Sequence, residues 1–139
     1  MFETNSFGRT LDILQRSMDV SMLRQDVIAN NIANADTPNF KRSFVNFESQ
    51  LAAALDSEAP HGMAMRQTMP GHMTNQWTVD YRTVEPNRQL DYLTTSDNNG
   101  NNVDVEVESM DYLNSQLLYT LMSNSVAEQF SRLKIVLAE

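Results

Sequence analysis

The chain has 139 residues, of which 41% are hydrophobic, and its mean hydropathy is −0.43. This length suits a single domain, and the modest apolar content predicts that part of the hydrophobic surface is buried only against other molecules. A net charge of −8, with ten scattered basic residues, argues against a nucleic-acid partner, and the lack of cysteine excludes disulfides, thiolate catalysis and cysteine-ligated metals.

The sequence carries no recognisable membrane or secretory segment. No stretch reaches the roughly 18 to 20 consecutive apolar residues that span a bilayer. The opening residues, Met1 to Ser6, lack the basic start and the apolar centre of a cleavable secretory signal. On this criterion alone the chain is expected to be cytoplasmic.

The first predicted element is a long amphipathic helix over residues 7 to 34 or 35. Its apolar residues recur at steps of three and four, first at Leu11, Leu14, Met18 and Met22 and, after a step of six, at Ile28 and Ile32. Pro38 cannot continue a helix and holds Thr37 in extended angles, so the helix ends before this pair. We expect Ile28 and Ile32 to face a partner helix.

Three asparagines lie at the end of this helix, at Asn30, Asn31 and Asn34. Asparagine forms helices poorly because its amide competes for backbone hydrogen bonds, so the cluster needs another explanation. The amides can bond to backbone groups or to a neighbouring chain. The residues alone leave both possibilities open; in a polymer, all three would form lateral contacts with neighbouring subunits.

A second, short amphipathic helix is predicted around residues 45 to 56. Its apolar positions are four, three, four and four residues apart, at Phe40, Phe44, Phe47, Leu51 and Leu55. The simplest interpretation is a helix that packs on the two terminal helices.

Residues 57 to 74 contain proline and glycine and have little periodicity, which predicts a loop. This loop contains methionines and histidines that could ligate Cu(I), namely His61, Met63, Met65, Met69, His72 and Met73. Because their spacing is loose, a flexible contact surface is the favoured interpretation and a copper site is the alternative.

A small β-hairpin or extended arm is predicted for residues 76 to 95. Apolar and polar residues alternate at its start, with Trp77, Val79 and Tyr81 as the apolar positions. The pair Pro86 and Asn87 forms the expected turn. Residues 96 to 102 form a loop that leads into the last helix.

The last predicted element is a helix of about 34 residues that begins just after Asn102. Acidic residues in its first turns complement the helix dipole, namely Asp104, Glu106, Glu108 and Asp111. Its apolar stripe drifts around the helix, as is typical of a helix contacted on several sides, through Met110, Leu113, Leu117, Leu121, Met122, Val126, Phe130, Leu133 and Leu137. Leu117, like Ile28, is expected in a helix seam. A strand through Val103, Val105 and Val107 is the less favoured alternative.

These elements predict a mainly α-helical fold in which two long terminal helices pair as an antiparallel coiled coil. The irregular middle contributes the short helix and the small β-hairpin or extended arm. The predicted division is residues 1–35 for the N-terminal helix, 36–100 for the middle and 101–139 for the C-terminal helix. Because a lone helix pair buries little surface, the ends of the isolated subunit are expected to order on assembly.

No constellation of residues predicts catalysis. Both histidines lie in the predicted loop, where no rigid element would hold a Ser-His-acid arrangement. The carboxylates Glu106, Glu108 and Asp111 are explained as charge at a helix start, and the four glycines form no phosphate-binding loop. The chain is therefore predicted to be no enzyme and to hold no cofactor or metal.

Residues 29–40 read Ala-Asn-Asn-Ile-Ala-Asn-Ala-Asp-Thr-Pro-Asn-Phe. This run resembles the N-terminal signature of the bacterial flagellar basal-body rod and hook proteins throughout its length. Residues 100–104, Gly-Asn-Asn-Val-Asp, resemble the entry to the C-terminal helix of the smallest members of that family, the proximal rod proteins. The resemblance covers both ends of the chain well and residues 57–90 poorly.

The resemblance implies a structural subunit that assembles helically with homologous rod proteins and transmits torque from the motor to the hook and filament. The implied partners are other rod subunits, the rod-base adaptor protein, the membrane ring and the type III export gate. It also implies export to the periplasmic rod without a cleavable signal, which replaces the cytoplasmic expectation. The alternatives are another axial rod protein of this family, or a periplasmic metal-binding or peptidoglycan-cutting protein.

The resemblance also selects candidate assembly residues. The rod motif and subunit interface comprise Ile28, Asn30, Asn31, Ile32, Asn34, Asp36, Thr37, Pro38 and Phe40. The interface of the C-terminal helix comprises Asn102, Val103, Leu113, Leu117, Leu121 and Phe130. Phe47 and Leu51 resemble the export signal of rod and hook proteins, in which an aromatic anchor lies one turn from an apolar residue.

Overall fold

The computed structural model describes residues 6–58, 68–69, 71, 78–95 and 100–137. Its elements in chain order are α1 (Ser6–Ala33), β1 (Ser43–Asn46), α2 (Glu48–Glu58), a 3-10 turn (Tyr81–Thr83), β2 (Asn87–Leu90) and α3 (Val105–Leu137). The predicted mainly α-helical class is confirmed. Within these residues, none of the helices combines the length and the apolar character needed to cross a membrane.

Helix α1 ends at Ala33, close to the predicted end. The chain leaves it through tight turns, in which Asn34 N–H donates to Asn31 O (3.1 Å) and Thr37 N–H donates to Asn34 O (3.0 Å). Asn39 then adopts a left-handed backbone angle, with a φ of 59°. Asparagine tolerates this angle better than other non-glycine residues, so the asparagine-rich exit turns the chain out of α1.

Helix α3 begins at Val105 because Asp104 caps it. The Asp104 Oδ1 atom accepts hydrogen bonds from the backbone N–H groups of Glu106 (2.9 Å) and Val107 (3.2 Å). Such a cap satisfies donors that the first helical turn leaves unpaired. The alternative of a strand through Val103, Val105 and Val107 is wrong, since the last two residues lie in the helix.

Helices α1 and α3 pack together in antiparallel orientation, as predicted. The rings of Phe7 and Phe130 meet edge to face, with centroids 6.3 Å apart. Further along, Ser115 Oγ donates to Ser21 O (3.1 Å). Later residues of α1 therefore meet earlier residues of α3, which is the arrangement of a two-helix hairpin.

The chain forms two compact units. The first comprises Met1–Val45 and Arg88–Glu139 and contains α1 and α3. Its buried apolar residues are Val20, Val27, Ile28, Val45 and Val103. The second unit, Asn46–Asn87, contains α2 and the 3-10 turn. The three-segment division made from the sequence stays a prediction.

Strands β1 and β2 form a two-stranded antiparallel sheet. The sequence predicts a turn at Pro86 and Asn87, whereas Asn87 begins β2, whose partner is the distant β1. The pairing continues past the strand end, where Asp91 N–H donates to Arg42 O (3.0 Å). Alternation of apolar and polar residues marks a strand but does not identify its partner, so β1 was not foreseen.

The second unit is built around α2, which begins at Glu48 rather than near residue 45 because the preceding residues pair as β1. Helix α2 packs against the 3-10 turn, in which Asp80 Oδ1 accepts a hydrogen bond from Arg82 N–H (2.9 Å). The buried residues of this unit are Phe47, Leu51, Ala54, Tyr81 and Val84. Trp77 and most of the loop predicted for residues 57 to 74 lie outside the described residues.

Candidate assembly site

Asn31 is the central residue of a buried polar network and has no exposed surface. Its Nδ2 atom donates to Ser43 O (2.8 Å) and to Glu108 Oε2 (3.0 Å), and its Oδ1 atom accepts from Ser43 N–H (3.0 Å). These bonds join α1, β1 and α3. The amide of Asn31 therefore bonds inside the chain, and its interpretation as a lateral contact between subunits stays a prediction that its burial does not support.

Glu108 lies in the first turns of α3 and is only 1% exposed. Arg42 Nη2 lies 3.0 Å from Glu108 Oε1. This contact is ionic rather than an aligned hydrogen bond, and Glu108 Oε1 and Arg42 Nε have no hydrogen-bond partner within the described part of the chain. The sequence explained Glu108 as a charge at a helix start. The structure places Glu108 there and adds a second role, because the carboxylate also faces the end of α1 and is paired there.

Asn101 caps the exit from α1, although it precedes α3 by only a few residues. Its Nδ2 atom lies within hydrogen-bond distance of the carbonyl oxygens of Asn34 (3.1 Å), Ala35 (2.6 Å) and Thr37 (3.0 Å). Its Oδ1 atom accepts from Val103 N–H (2.8 Å). The amide thus adds hydrogen bonds to carbonyls of the turn that follows α1, of which those of Asn34 and Thr37 also accept backbone hydrogen bonds. Sequence reasoning missed this role. The Gly-Asn-Asn run before α3 was the signal that could have indicated it.

Asn102 and Val103 also act inside the chain. Asn102 Oδ1 accepts from Arg42 N–H (2.7 Å), and its Nδ2 atom donates to Asp91 O (2.8 Å) and Thr94 Oγ1 (3.1 Å). Asn102 is 4% exposed and Val103 is 3% exposed. Little of their surface is exposed, and their assignment to the interface of the C-terminal helix stays a prediction.

Gly100 lies where the loop before α3 approaches the loop that follows α1. It has a φ of +80°, and a Cβ atom there would lie 2.8 Å from Asn39 Oδ1. Gly100→Ala is therefore expected to lower the free energy of unfolding by about 1–2 kcal/mol, the cost of a left-handed angle for a residue with a Cβ atom. Urea denaturation followed by circular dichroism measures this change.

The control for this prediction is Gly71→Ala. Gly71 also has a positive φ, +112°, but nothing lies within 4 Å of its Cβ position. A larger loss at Gly100 than at Gly71 is expected from the contact with Asn39. Equal losses would contradict the close approach of the two loops.

Asp91 is a carboxylate held by the loop before α3. The Thr94 hydroxyl donates to it (2.7 Å), as do the backbone N–H groups of Leu93 (3.0 Å) and Thr94 (3.2 Å). The Thr94 hydroxyl bond, followed by the backbone bonds and the charge of Arg42, holds the pKa of Asp91 below its ordinary value of 3.8. The unfolded chain consequently binds this proton more readily than the folded chain.

The sign of the pH dependence follows from this lowered pKa. The stabilisation is complete above the ordinary pKa of Asp91 and is lost as the pH falls through the lower folded pKa. Asp91→Asn should make stability less dependent on pH in that acid range. Urea unfolding between about pH 5 and pH 2 tests this, with the exposed Asp36→Asn as control. Parallel curves for the parent and Asp91→Asn would exclude the effect.

The rod motif is divided between exposed and covered residues. Asn30, Asp36, Thr37 and Pro38 are exposed, whereas Ile32, Asn34 and Phe40 are half-buried and Ile28 is 4% exposed. Asn34 Nδ2 donates to Asn30 O (2.8 Å), so this amide too is used within the chain. The exposed residues of the motif remain predicted contacts with neighbours.

Helix α3 presents a row of exposed apolar side chains, which we call the α3 apolar face. It consists of Met110 (62% exposed), Leu113 (60%), Leu117 (59%) and Leu121 (53%). No charged residue occurs between Asp111 and Glu128. An uncharged helical segment with apolar side chains on more than one side is typical of a helix buried between several neighbours.

The side of α3 that packs on α1 is a different one. Its buried members are Glu108 and Ser115, about 140–160° around the helix from Met110. Leu117 therefore does not lie between α3 and α1, and its predicted place in a helix seam stays a prediction of contact with another helix. Three-and-four spacing identifies an apolar stripe, but it does not decide which neighbour covers that stripe. Phe130 is 54% exposed, even though its ring meets Phe7.

Two other predicted sites are the export signal and the alternative copper site. Phe47 and Leu51 are 2% and 9% exposed, and their role in export stays a prediction. The histidines proposed as copper ligands lie outside the described residues, whereas Met69 is exposed. Among the residues that the structure describes, no group of three or more His, Cys, Asp or Glu is placed to hold a metal ion.

Known proteins match this chain along nearly its whole length. A family model described as "Flagella basal body rod protein" matches residues 21–41. The chain is 42% identical to the flagellar basal body rod protein FlgB of Borreliella burgdorferi over 133 residues, which cover 96% of this chain and 98% of the relative. FlgB of Bacillus subtilis is 32% identical, with 94% of this chain and 95% of the relative covered.

These matches place the helical hairpin and its signature loop in the class of flagellar basal-body rod proteins. Within that class, the chain belongs to the FlgB family.

Proposed function

We propose that this chain is a structural subunit of the proximal flagellar rod, which transmits torque from the motor to the hook and filament. The α3 apolar face carries the proposal. Leu113, Leu117 and Leu121 are more than half exposed in the monomer, and burying a leucine side chain stabilises a complex by roughly 1.5–3 kcal/mol. Assembly with other rod subunits supplies that burial.

The contacts between subunits are heterologous and do not close on themselves, which is the geometry that produces helical tubes. The neighbours are homologous rod subunits, with the rod-base adaptor protein, the membrane ring and the type III export gate at the base. The exposed residues of the motif support this assignment because they lie at one end of the hairpin, where neighbours can contact them. They are Asn30, Asp36, Thr37 and Pro38.

The subunit reaches the periplasm through the type III export gate without a cleavable signal. Phe47 and Leu51 act as the export signal while the chain is unfolded, because both are covered in the folded second unit. Export followed by folding is consistent with a chain whose apolar core is small and whose remaining apolar surface is buried on assembly.

The chain acts without catalysis. The relatives are named as rod proteins, and the buried carboxylate of Glu108 is bound by Arg42 and Asn31, which gives it a structural role. Two assays test this part of the proposal. Sustained lysis of purified peptidoglycan by the chain would contradict it. Copper binding that is lost in the His61→Ala, His72→Ala double variant would also contradict it.

Basal bodies purified from the source bacterium test the main proposal. Deletion of the chain should abolish swimming and remove the rod above the membrane ring in cryo-electron microscopy. The parent chain supplied in trans should restore both. Retained swimming in the deletion strain, or complete rods without this chain, would overturn the proposal.

A further inference from the structure

The loop that follows α1 is exposed, but its backbone is bonded to a distant segment of the chain. Residues 36–39, which we call the exit loop, are all exposed. Ordering such a loop costs conformational entropy, and the loop recovers little of it because it buries none of its own side chains. The bonds that hold the exit loop therefore come from elsewhere in the chain.

Asn101 supplies several of these bonds. It has no exposed surface, and its Nδ2 atom lies 3.1, 2.6 and 3.0 Å from the carbonyl oxygens of Asn34, Ala35 and Thr37. One amide has only two N–H bonds, so the three carbonyls share them. Because these carbonyls precede and follow Asp36 in the sequence, the amide holds the peptide groups on both sides of that residue.

The amide of Asn101 is itself held in place. Its Oδ1 atom accepts a hydrogen bond from Val103 N–H (2.8 Å), which fixes the direction in which Nδ2 points. At the far end of the exit loop, Asn39 Oδ1 lies 2.8 Å from the position that a Cβ atom of Gly100 would take. Lys41 Nζ then donates to Gly100 O (2.9 Å). Both ends of the exit loop are therefore attached to the segment just before α3.

The exit loop contributes no apolar residue to the core of its unit. The buried apolar residues of that unit are Val20, Val27, Ile28, Val45 and Val103. An ordered exit loop is consequently of little use to the hairpin alone. It favours binding, because a loop that is ordered before contact avoids the entropy cost of ordering on contact. An exposed loop held by a buried side chain is thus suited to contact with a neighbour.

We infer that Asn101 is a positioning residue for assembly, whose amide presents the exit loop in an ordered state to a neighbouring rod subunit. Asn101 acts through the exit loop, because it has no surface of its own with which to contact the neighbour. The inference rests on the proposed rod function and names the residue that prepares one of its contacts.

Competition for incorporation tests this role. The full-length parent and Asn101→Ala chains carry different tags and are expressed at equal levels in the deletion strain, and blotting of purified basal bodies gives their ratio. The variant has to order the exit loop on contact, so its incorporation should fall to about one-tenth of the parent's. In the purified variant, hydrogen exchange at the backbone N–H groups of Thr37 and Asn39 should become faster.

Val20→Ala is the matched control, because Val20 is a buried residue of α1 (4% exposed) and lies outside the exit loop. Urea denaturation ranks the two variants, and Val27→Ala is added to the control if it is needed to make the control at least as unstable as Asn101→Ala. The control should still be incorporated at a higher level than Asn101→Ala and show unchanged exchange at Thr37 and Asn39.

Two results from this comparison would overturn the inference. Equal incorporation of Asn101→Ala and the control would mean that Asn101 only stabilises the fold. Incorporation of Asn101→Ala at the parent's level would show that the exit loop needs no positioning, and would leave the rod function intact. Failure of the rod function itself is distinguished by complete rods in the deletion strain.

A second pair of variants leaves Asn101 in place and does not depend on the folding of Asn101→Ala. Asp36→Gly and Asp36→Ala both remove the carboxylate, and alanine fits this position because Asp36 is not among the residues with a positive φ. Only glycine adds backbone freedom, so Asp36→Gly should be incorporated about two- to fivefold less than Asp36→Ala in the same competition. Equal incorporation of these two variants would contradict the inference.

Discussion

Asn31→Leu is expected to lower the free energy of unfolding by about 3–5 kcal/mol. Leucine has a similar size but removes three hydrogen bonds. The N–H and C=O groups of Ser43 and the carboxylate of Glu108 then remain buried with fewer partners. Unsatisfied buried groups of this kind account for the largest effects of single substitutions. Urea denaturation of the purified chain, followed by circular dichroism, measures the change.

The matched control is the neighbouring residue. Asn30→Leu makes the same chemical change one position earlier, at an exposed site whose side chain bonds to no other described residue. Its effect on the free energy of unfolding should stay within about 0.5 kcal/mol. Similar losses for the two variants would mean that helix propensity, rather than the buried network, explains the asparagines of α1.

The second large effect distinguishes the fold from the assembly. Ile28→Asp should destabilise the chain by roughly 3–5 kcal/mol, because Ile28 is 4% exposed and the substitution replaces a buried apolar side chain with a carboxylate that loses its hydration. Leu117→Asp should change the free energy of unfolding by no more than about 0.5 kcal/mol, because Leu117 is 59% exposed. Both variants should abolish swimming, but for different reasons.

Two measurements separate these outcomes. Circular dichroism should show a folded Leu117→Asp chain and an unfolded or strongly destabilised Ile28→Asp chain. Soft-agar swimming and recovery of basal bodies should fail for both. Gln116→Asp adds the same charge to α3 about 100° from Leu117 and should retain swimming. Normal swimming of Leu117→Asp would show that the α3 apolar face makes no essential contact with other subunits. Strong destabilisation by Leu117→Asp would show that Leu117 belongs to the core of the chain.

The long helices were predictable because their signals are local. The three-and-four spacing from Leu11 to Ile32 sets the length of α1, and Pro38 ends the helical pattern. The acidic residues that begin at Asp104 likewise mark the start of α3 within one turn. Backbone propensity and capping act over a few residues, so they can be read directly from the sequence.

The sheet and the polar network were not predictable in the same way. Strand β1 pairs with β2 more than forty residues later, and the bond from Asn31 to Glu108 joins residues 77 positions apart. Neither partner has a pattern that identifies the other. The apolar periodicity around Phe44 suggested a helix, but pairing with β2 determined its conformation.

The sequence by itself determined that this protein has two long terminal helices and an asparagine-rich turn between the first helix and the middle, and that its few basic residues are scattered along the chain. The tertiary structure alone decided that Asn31 is the buried asparagine of α1 and that the carboxylate of Glu108 is paired inside the chain. It also decided which side of α3 is apolar and exposed. Helical periodicity fixes the angle of each side chain about its own helix. Only the packing of distant segments decides whether that direction faces a partner or solvent.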